Sequence, residues 1–327
     1  MLAEWEQIQA TGEPGDRNVR LVDSAHPLSF RIGRDFKGRY VFQLDASGSA
    51  DLRTGLPHIS GIDCELDEQG AGALRLTLTL KRQEDVANFR LMCAGMMHAT
   101  SELSAHEAET GLLVVIDQLH RWQEMLRQRR DRLLKRTEII GLVGELLFLR
   151  DILAPRIGML GAIRSWTGPE RDEQDFVLGG TIVEVKTQIV TADRRIRISS
   201  EDQLDPVQGR IIIANQGVAP LPGTDPTARS LNGLAAEVRD VAAASGAAAC
   251  DLLDIALLAA GYEHREEYDE ESWVLVDRAF YEVMGDFPRI ERAELRSGVD
   301  MVKYSIRVAD CLPYAVDIDV TMAGFVR

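Results

Sequence analysis

Residues 181–190 read TIVEVKTQIV, and the reading of this stretch decides the fold. The polar side chains Glu184, Lys186 and Gln188 fall at every second position, so a strand here sends all three to one face. Val183, Val185 and Ile189 take the other face. A carboxylate, an amine and an amide on a strand that otherwise reads as sheet interior are costly to bury unless paired or bound to a metal. That cost makes this strand the candidate functional site.

Upstream, in SWTGPERDEQDFVLGGTIVEVKT (165–187), Gly179 and Gly180 read as the turn of a hairpin between two short strands. The hairpin brings Asp175 back beside Glu184 and Lys186. Two carboxylates converging with one lysine suit divalent-metal chemistry, in which hard oxygen ligands hold Mg2+, or Mn2+, while the ammonium orients or polarises a water. Phosphodiester hydrolysis is the reaction this equipment fits best.

These residues resemble the signature of the PD-(D/E)XK nucleases, which share the restriction endonuclease-like fold: an Asp, a short hairpin, then Glu or Asp, one residue, and Lys. Asp175, Glu184, Val185 and Lys186 match it, and Gln174 stands where the family usually has Pro, a position that varies across the superfamily. Many members carry an additional acid on a preceding helix, and GLVGELLFLRDIL (141–153) presents Glu145 as a single carboxylate among leucines and valine. Taken whole, the chain is similar to a bacterial family known only by its PD-(D/E)XK motif. The likeness rests on GLVGELLFL (141–149), the SW-GP segment (165–169), EVKTQ (184–188), ISSEDQL (198–204) and YEVMGDFPRI (281–290). It implies an α/β (α+β) fold with a restriction endonuclease-like αβββαβ core, an N-terminal β-rich domain and a C-terminal α/β extension. It further implies Asp175, Glu184 and Glu145 as metal ligands and Lys186 as the group that helps generate hydroxide. Gln188 would contact the scissile phosphate or order the site.

Composition bounds the setting. The chain has 327 residues with 45% hydrophobic content, enough for two or three domains with substantial cores. Cys64, Cys93, Cys250 and Cys311 lie far apart, without CxxC spacing or a His partner pattern, and read as reduced thiols rather than zinc ligands. The start, MLAEWEQIQATGEPGDR, lacks a basic head and apolar run, and AAACDLLDIALLAAG (247–261) is interrupted by Asp251 and Asp254 and too short to span a bilayer. A cytoplasmic protein is expected, with neither export nor membrane insertion.

A net charge of −15 argues against indiscriminate nucleic-acid binding, since phosphate contacts need local positive potential. Two basic clusters qualify this. RWQEMLRQRRDRLLKR (121–136) crowds seven cations onto the segment leading into the helix of Glu145, and Arg194, Arg195 and Arg197 follow the motif strand. Arg129, Arg130, Arg194 and Arg195 are the candidate nucleic-acid contacts. The plainer explanation is a solvated face with salt bridges to the plentiful acids.

Four segments are expected: residues 1–100 as the β-rich domain, 101–137 as bridging helices, 138–222 as the nuclease-like core and 223–327 as the extension. In the first, LSFRIGRD (28–35), GRYVFQLDA (38–46) and ALRLTLTLK (73–81) alternate as antiparallel strands, and Val86–His98 reads as a helix packed through Met92, Met96 and Met97. In the core, the helix of Glu145 precedes strands at Asp175, at Glu184 and Lys186, and at RRIRISS (194–200). A helix opening at Ser200, with a Ser200–Gln203 capping box, and a strand at Ile211–Ile213 follow. Further on, an Ala-rich helical stretch runs through Ala260, then WVLVDRAFYEVM (273–284) and MVKYSIRVA (301–309) suggest strands.

Each site residue also has a duller explanation. Glu184 and Lys186 could be an ordinary polar stripe on an edge strand, Asp175 could hold a turn, and Glu145 could lie with Glu138 on the solvated side of an amphipathic helix. Trp166 reads as core and His120 as an exposed residue. Their joint occurrence favours a Mg2+-dependent nuclease acting on DNA, alone or with protein partners in a restriction or phage-defence complex. A nuclease-like module that binds without cutting is the alternative, and hydrolysis of a non-nucleic phosphoester a third reading. DNA versus RNA, cleavage specificity and oligomeric state stay open.

Overall fold

A computed structural model describes residues 3–48, 55–70, 72–128, 132–170, 174–191, 193–204 and 209–322. The chain divides into two compact units, Met1–Arg132 and Leu133–Arg327.

In the first unit, strands β1 (Arg17–Leu21), β2 (Ser29–Asp35), β3 (Tyr40–Ser47), β4 (Ile62–Gly70) and β5 (Ala73–Leu80) form one antiparallel sheet in the order β1-β2-β3-β5-β4. Their alternation of apolar and polar residues buries Phe30, Ile32, Phe42, Leu44, Leu76 and Leu78 on the inner side. Helix α1 (Val86–Ala99) buries Met92, Met96 and Met97 as packing residues. Helix α2 (Ala108–Gln128) packs on α1 and β3, so it belongs to this unit. The division falls after Arg132, and α2 has its apolar side, Leu112, Val115 and Leu119, buried in this unit.

The second unit carries the motif strand. Its sheet has the order β10-β9-β7-β6, built from β6 (Phe176–Leu178), β7 (Thr181–Ile189), β9 (Arg210–Leu221) and β10 (Ser272–Glu282). β6 and β7 pair antiparallel through Gly179 and Gly180, whose φ values of 49° and 90° suit a two-residue type I′ turn. β7 and β9 run parallel, and β10 returns antiparallel on the far side of β9. Of the residues after 223, those of β10 are thus part of the central sheet.

Both faces of this sheet are covered. Val183, Val185, Ile212 and Ala214 share a core with helices α3 (Arg136–Phe148), α4 (Ala154–Arg164), α5 (Leu231–Ser245) and α6 (Ala247–Ala259). Ile182, Ile211 and Ile213 on the opposite face pack on Ile196, Ile198 and Ile306. Those three belong to a two-stranded ribbon of β8 (Arg195–Ile198) and β11 (Tyr304–Arg307).

The expected core order holds in chain sequence, with two differences. β8 pairs with β11 instead of joining the main sheet. The helix expected at Ser200 is a single 3-10 turn, Glu201–Leu204, followed by residues 205–208, which lie outside the described residues. The capping box is not formed, because the Gln203 amide is turned toward β7.

Close approach of α3 to β7 depends on Gly144. A Cβ built there would stand 1.6 Å from Thr187 Oγ1, and the Gly144 carbonyl accepts a hydrogen bond of 2.8 Å from Gln216 Nε2 of β9. Gln216 is fully buried, and Arg278 of β10 donates to its Oε1 at 2.7 Å. Gly144→Ala should therefore push α3 off the sheet and lower stability by about 1–3 kcal/mol, the usual cost of overpacking. A chemical-denaturation midpoint equal to that of the unsubstituted protein would contradict this close approach.

Candidate active site

β6 is three residues long and pairs with β7 only as far as Val183, which leaves the rest of β7 without a ladder partner on that side. Asp175 stands immediately before Phe176, the partner of Val183, at the step of the ladder level with Glu184. Its Oδ2 accepts a hydrogen bond of 2.7 Å from the Val185 amide, so a carboxylate ends the ladder where the next strand residue would have. The Asp175 carbonyl accepts from the Thr167 and Gly168 amides at 2.9 and 3.0 Å. This ties the preceding segment to the same edge.

Glu184 points to the ribbon face and is 2% exposed. Its Oε1 lies 2.6 Å from Lys186 Nζ and accepts a hydrogen bond of 3.1 Å from Gln203 Nε2. Gln203 Oε1 in turn accepts from Lys186 Nζ at 3.3 Å and from the Ser199 amide at 2.9 Å. Glu184, Lys186 and Gln203 thus close a triangle across β7 and the 3-10 turn. The second carboxylate oxygen, Glu184 Oε2, is buried without a hydrogen-bond partner. A buried acceptor in that state costs about 1–3 kcal/mol, more when charged.

Glu145 comes from α3. Its Oε2 accepts a hydrogen bond of 2.7 Å from Trp166 Nε1, and the indole is fixed by stacking on Phe176 at 6.2 Å between ring centroids. Gly168 lies between the two acids: a Cβ there would meet Asp175 Oδ1 at 3.2 Å and Glu145 Oε2 at 3.5 Å. Glu138 is exposed and bonds the Lys135 amide, so the two glutamates of α3 have different surroundings.

Gln188 lies further along the Glu184 face, donating to Asn215 Oδ1 at 3.0 Å and accepting from the Arg195 amide at 3.3 Å. Arg194 is held by Asp277 at 2.7 Å and Arg195 pairs with Asp193 at 2.9 Å. Arg129 and Arg130 lie outside the described residues. The structure thus gathers Glu145, Asp175, Glu184 and Lys186 and sets Gln188 beside them. Sequence reading missed Trp166, Gln203 and Gly168. Only the SW-GP and ISSEDQL segments carried a signal for them.

Burial, then repulsion between the acids, governs the electrostatics. Burial and the nearby Asp175 carboxyl push Glu184 up to about 8 against the pull of Lys186 and of the Asp175 backbone amide. Burial and Glu145 push Asp175 up to about 7, opposed by Lys186 and the Val185 amide. Burial and Glu184 hold Glu145 at about 7, opposed by the Trp166 hydrogen bond. Three carboxyls that resist ionising together in one place are what a divalent cation relieves.

Among the described residues no group of three or more His, Cys, Asp or Glu side chains stands close enough to hold a metal ion. A two-carboxylate site remains compatible with the geometry, since Mg2+ is commonly held by one or two carboxylates with water and substrate oxygens completing its shell. Glu184 Oε2, buried and unpartnered, and Asp175 Oδ1, the oxygen not bonded to Val185, are the donors such a cation would take. The described cysteines are all free, and no described helix is long and apolar enough to cross a membrane.

A family model described as "Putative PD-(D/E)XK family member" (DUF4420) matches residues 1–309. Neither a curated protein nor a solved structure matches the chain.

The raised carboxyls set a pH dependence. Unfolded, these groups ionise near 4, and folded near 7 to 8, so the native state holds more protons between those limits. Metal-free protein should lose stability as pH climbs through that window. Glu184→Gln removes one such group, so its melting temperature in chelator should fall less between pH 5 and pH 8.5, by on the order of a few degrees. Parallel melting curves for the two proteins would contradict the assignment.

Proposed function

The chain belongs to the DUF4420 family of PD-(D/E)XK proteins, and from that membership we propose that it is a divalent-metal-dependent nuclease that hydrolyses phosphodiester bonds, with DNA as its substrate. The observation that carries this reading is the buried, unpartnered Glu184 Oε2, ion-paired through its other oxygen to Lys186 beside two further carboxylates. Such a group keeps its charge in a sheet interior only with a cation to complete it, and otherwise takes up a proton.

Asp175 and Glu184 would hold Mg2+ or Mn2+, and Glu145, fixed by Trp166, would complete or orient the site. When bound, the cation supplies positive charge for the transition state and acidifies a water. Lys186 would sit at the edge of that water, its ammonium directed by Glu184 and Gln203, and would stabilise the forming hydroxide by its charge while the proton passes to solvent. Gln203 keeps the amine and the carboxylate in register, so it acts as a positioning residue. Gln188 would meet the scissile phosphate or hold the neighbouring backbone. A restriction or phage-defence complex, whose other members bring the nucleic acid to an acidic protein, is the setting that fits the net charge of −15.

A second reading, a nuclease-like module that binds without cutting, is favoured by one observation: among the described residues the acids do not already form a three-ligand cluster. Incubation of the purified protein with DNA, RNA and small phosphodiesters in Mn2+ separates the two. Metal-dependent cleavage is expected, with Lys186→Ala slower by about 100-fold or more, the usual worth of a positioned group that stabilises developing charge. Cleavage undiminished in Lys186→Ala would remove the lysine from the mechanism, and no cleavage of any phosphodiester would favour the silent module.

A further inference from the structure

Beyond Lys186 the ribbon face of β7 opens into a recess of about 560 Å3. Its walls are the start of α3, the second half of β7, and the ribbon strands β8 and β11, and it includes Lys186 and Gln188. Three guanidiniums line it: Arg136, Arg195 and Arg197. In a chain of net charge −15, these three guanidiniums and Lys186 around one recess require an explanation.

Their pairing distinguishes them. Arg136 is bonded to Glu271 at 2.8 Å, with both side chains about half exposed, and Arg195, also about half exposed, to the more exposed Asp193 at 2.9 Å. Exposed pairs of this kind contribute about 0–1 kcal/mol and exchange readily for a better anion. Arg197 is exposed and has no acid partner among the described residues. It alternates with the buried Ile196 and Ile198, which anchor β8 in the core. The strand thus holds an unneutralised guanidinium on a rigid support, facing the recess that ends at Lys186.

What the recess lacks narrows the ligand. None of its lining residues is aromatic, so the recess offers no aromatic platform on which successive bases could stack. Its one side-chain amide, Gln188, is engaged at both ends, by Asn215 and by the Arg195 backbone. The apolar lining, Ile140, Ile189 and Ile196, suits sugar carbons and not base edges.

We propose that this recess is the strand-binding subsite of the protein: it holds the phosphates flanking the cleaved bond of one polynucleotide strand, chiefly through Arg197 with Arg195, without reading base sequence. The proposal rests on the reading of the site as a nuclease and adds what the substrate is held by. It also accounts for how an acidic protein engages a polyanion, since three guanidiniums and Lys186 line one recess beside the acids.

The test is fluorescence anisotropy of labelled single-stranded DNA 12-mers of two unrelated sequences, in chelator, across a range of salt. Wild-type protein should bind both within about threefold of each other. Arg197→Ala should weaken both about fivefold and reduce the salt slope by about 0.7, the value for one lost phosphate contact on a single strand. Arg197→Lys should retain most of the binding, and Arg195→Ala should act in the same direction as Arg197→Ala, with melting curves confirming folded protein. Inorganic polyphosphate of equal charge should compete at least tenfold less well than the 12-mer. Unchanged binding or salt slope in Arg197→Ala, a strong preference for one sequence, equal competition by polyphosphate, or no binding by the wild type would each overturn the subsite. Mn2+-dependent cleavage of bis(4-nitrophenyl) phosphate by the wild type reports on the nuclease reading separately, because that diester has no flanking phosphates to hold.

Discussion

A carboxylate buried in the middle of a sheet is the constraint around which the second unit is arranged. Glu184 is 2% exposed, shares one oxygen between Lys186 and Gln203, and leaves the other without a partner. An ion pair taken out of water regains its desolvation cost only with good geometry and further hydrogen bonds. The surroundings supply part of this. Lys186 is two residues along the same strand face, and Gln203 reaches across from the turn after β8. Asp175 fills the end of the ladder.

The scaffold that holds these groups reaches far along the chain. Arg278 of β10 bonds Gln216 of β9, and Gln216 bonds the carbonyl of Gly144, the residue before Glu145. On the other face, Arg292 pairs with Asp202 at 2.6 Å, and the Val302 amide donates to the buried Glu201 at 2.8 Å. These contacts fasten the turn that carries Gln203. Residues from 272 to 302 therefore support both ends of the site, as precise placement of polar groups requires a packed second layer.

Much of this arrangement was legible in the chain, for identifiable reasons. Period-two polarity at Glu184, Lys186 and Gln188 identified the strand and its faces, and Gly179-Gly180 identified the hairpin that returns Asp175. Ile211–Ile213 revealed a strand covered on both sides, which β9 is. The pairing of β8 with β11 was not legible, because short alternating strands carry no mark of their partner over so long a separation. Ser200 and Gln203 had capping-box spacing, but burial of Glu184 drew the glutamine amide inward. Trp166 looked like core because an indole is mostly apolar, and its single N–H is what gives it a role beside Glu145. Local pattern reveals elements, whereas tertiary contacts decide which polar atoms meet.

The most direct measurement is titration of the metal-free protein with Mn2+, followed by calorimetry in two buffers of different ionisation enthalpy, for wild type, Asp175→Asn and Glu184→Gln. The expected result is a site in the wild type that releases protons on binding near pH 7, as carboxyls held at about 7 to 8 give way to the cation, and that is lost or greatly weakened in both variants. Wild type that binds no Mn2+, or binding and proton release unchanged in the variants, would contradict the claim that these acids meet around a common cation.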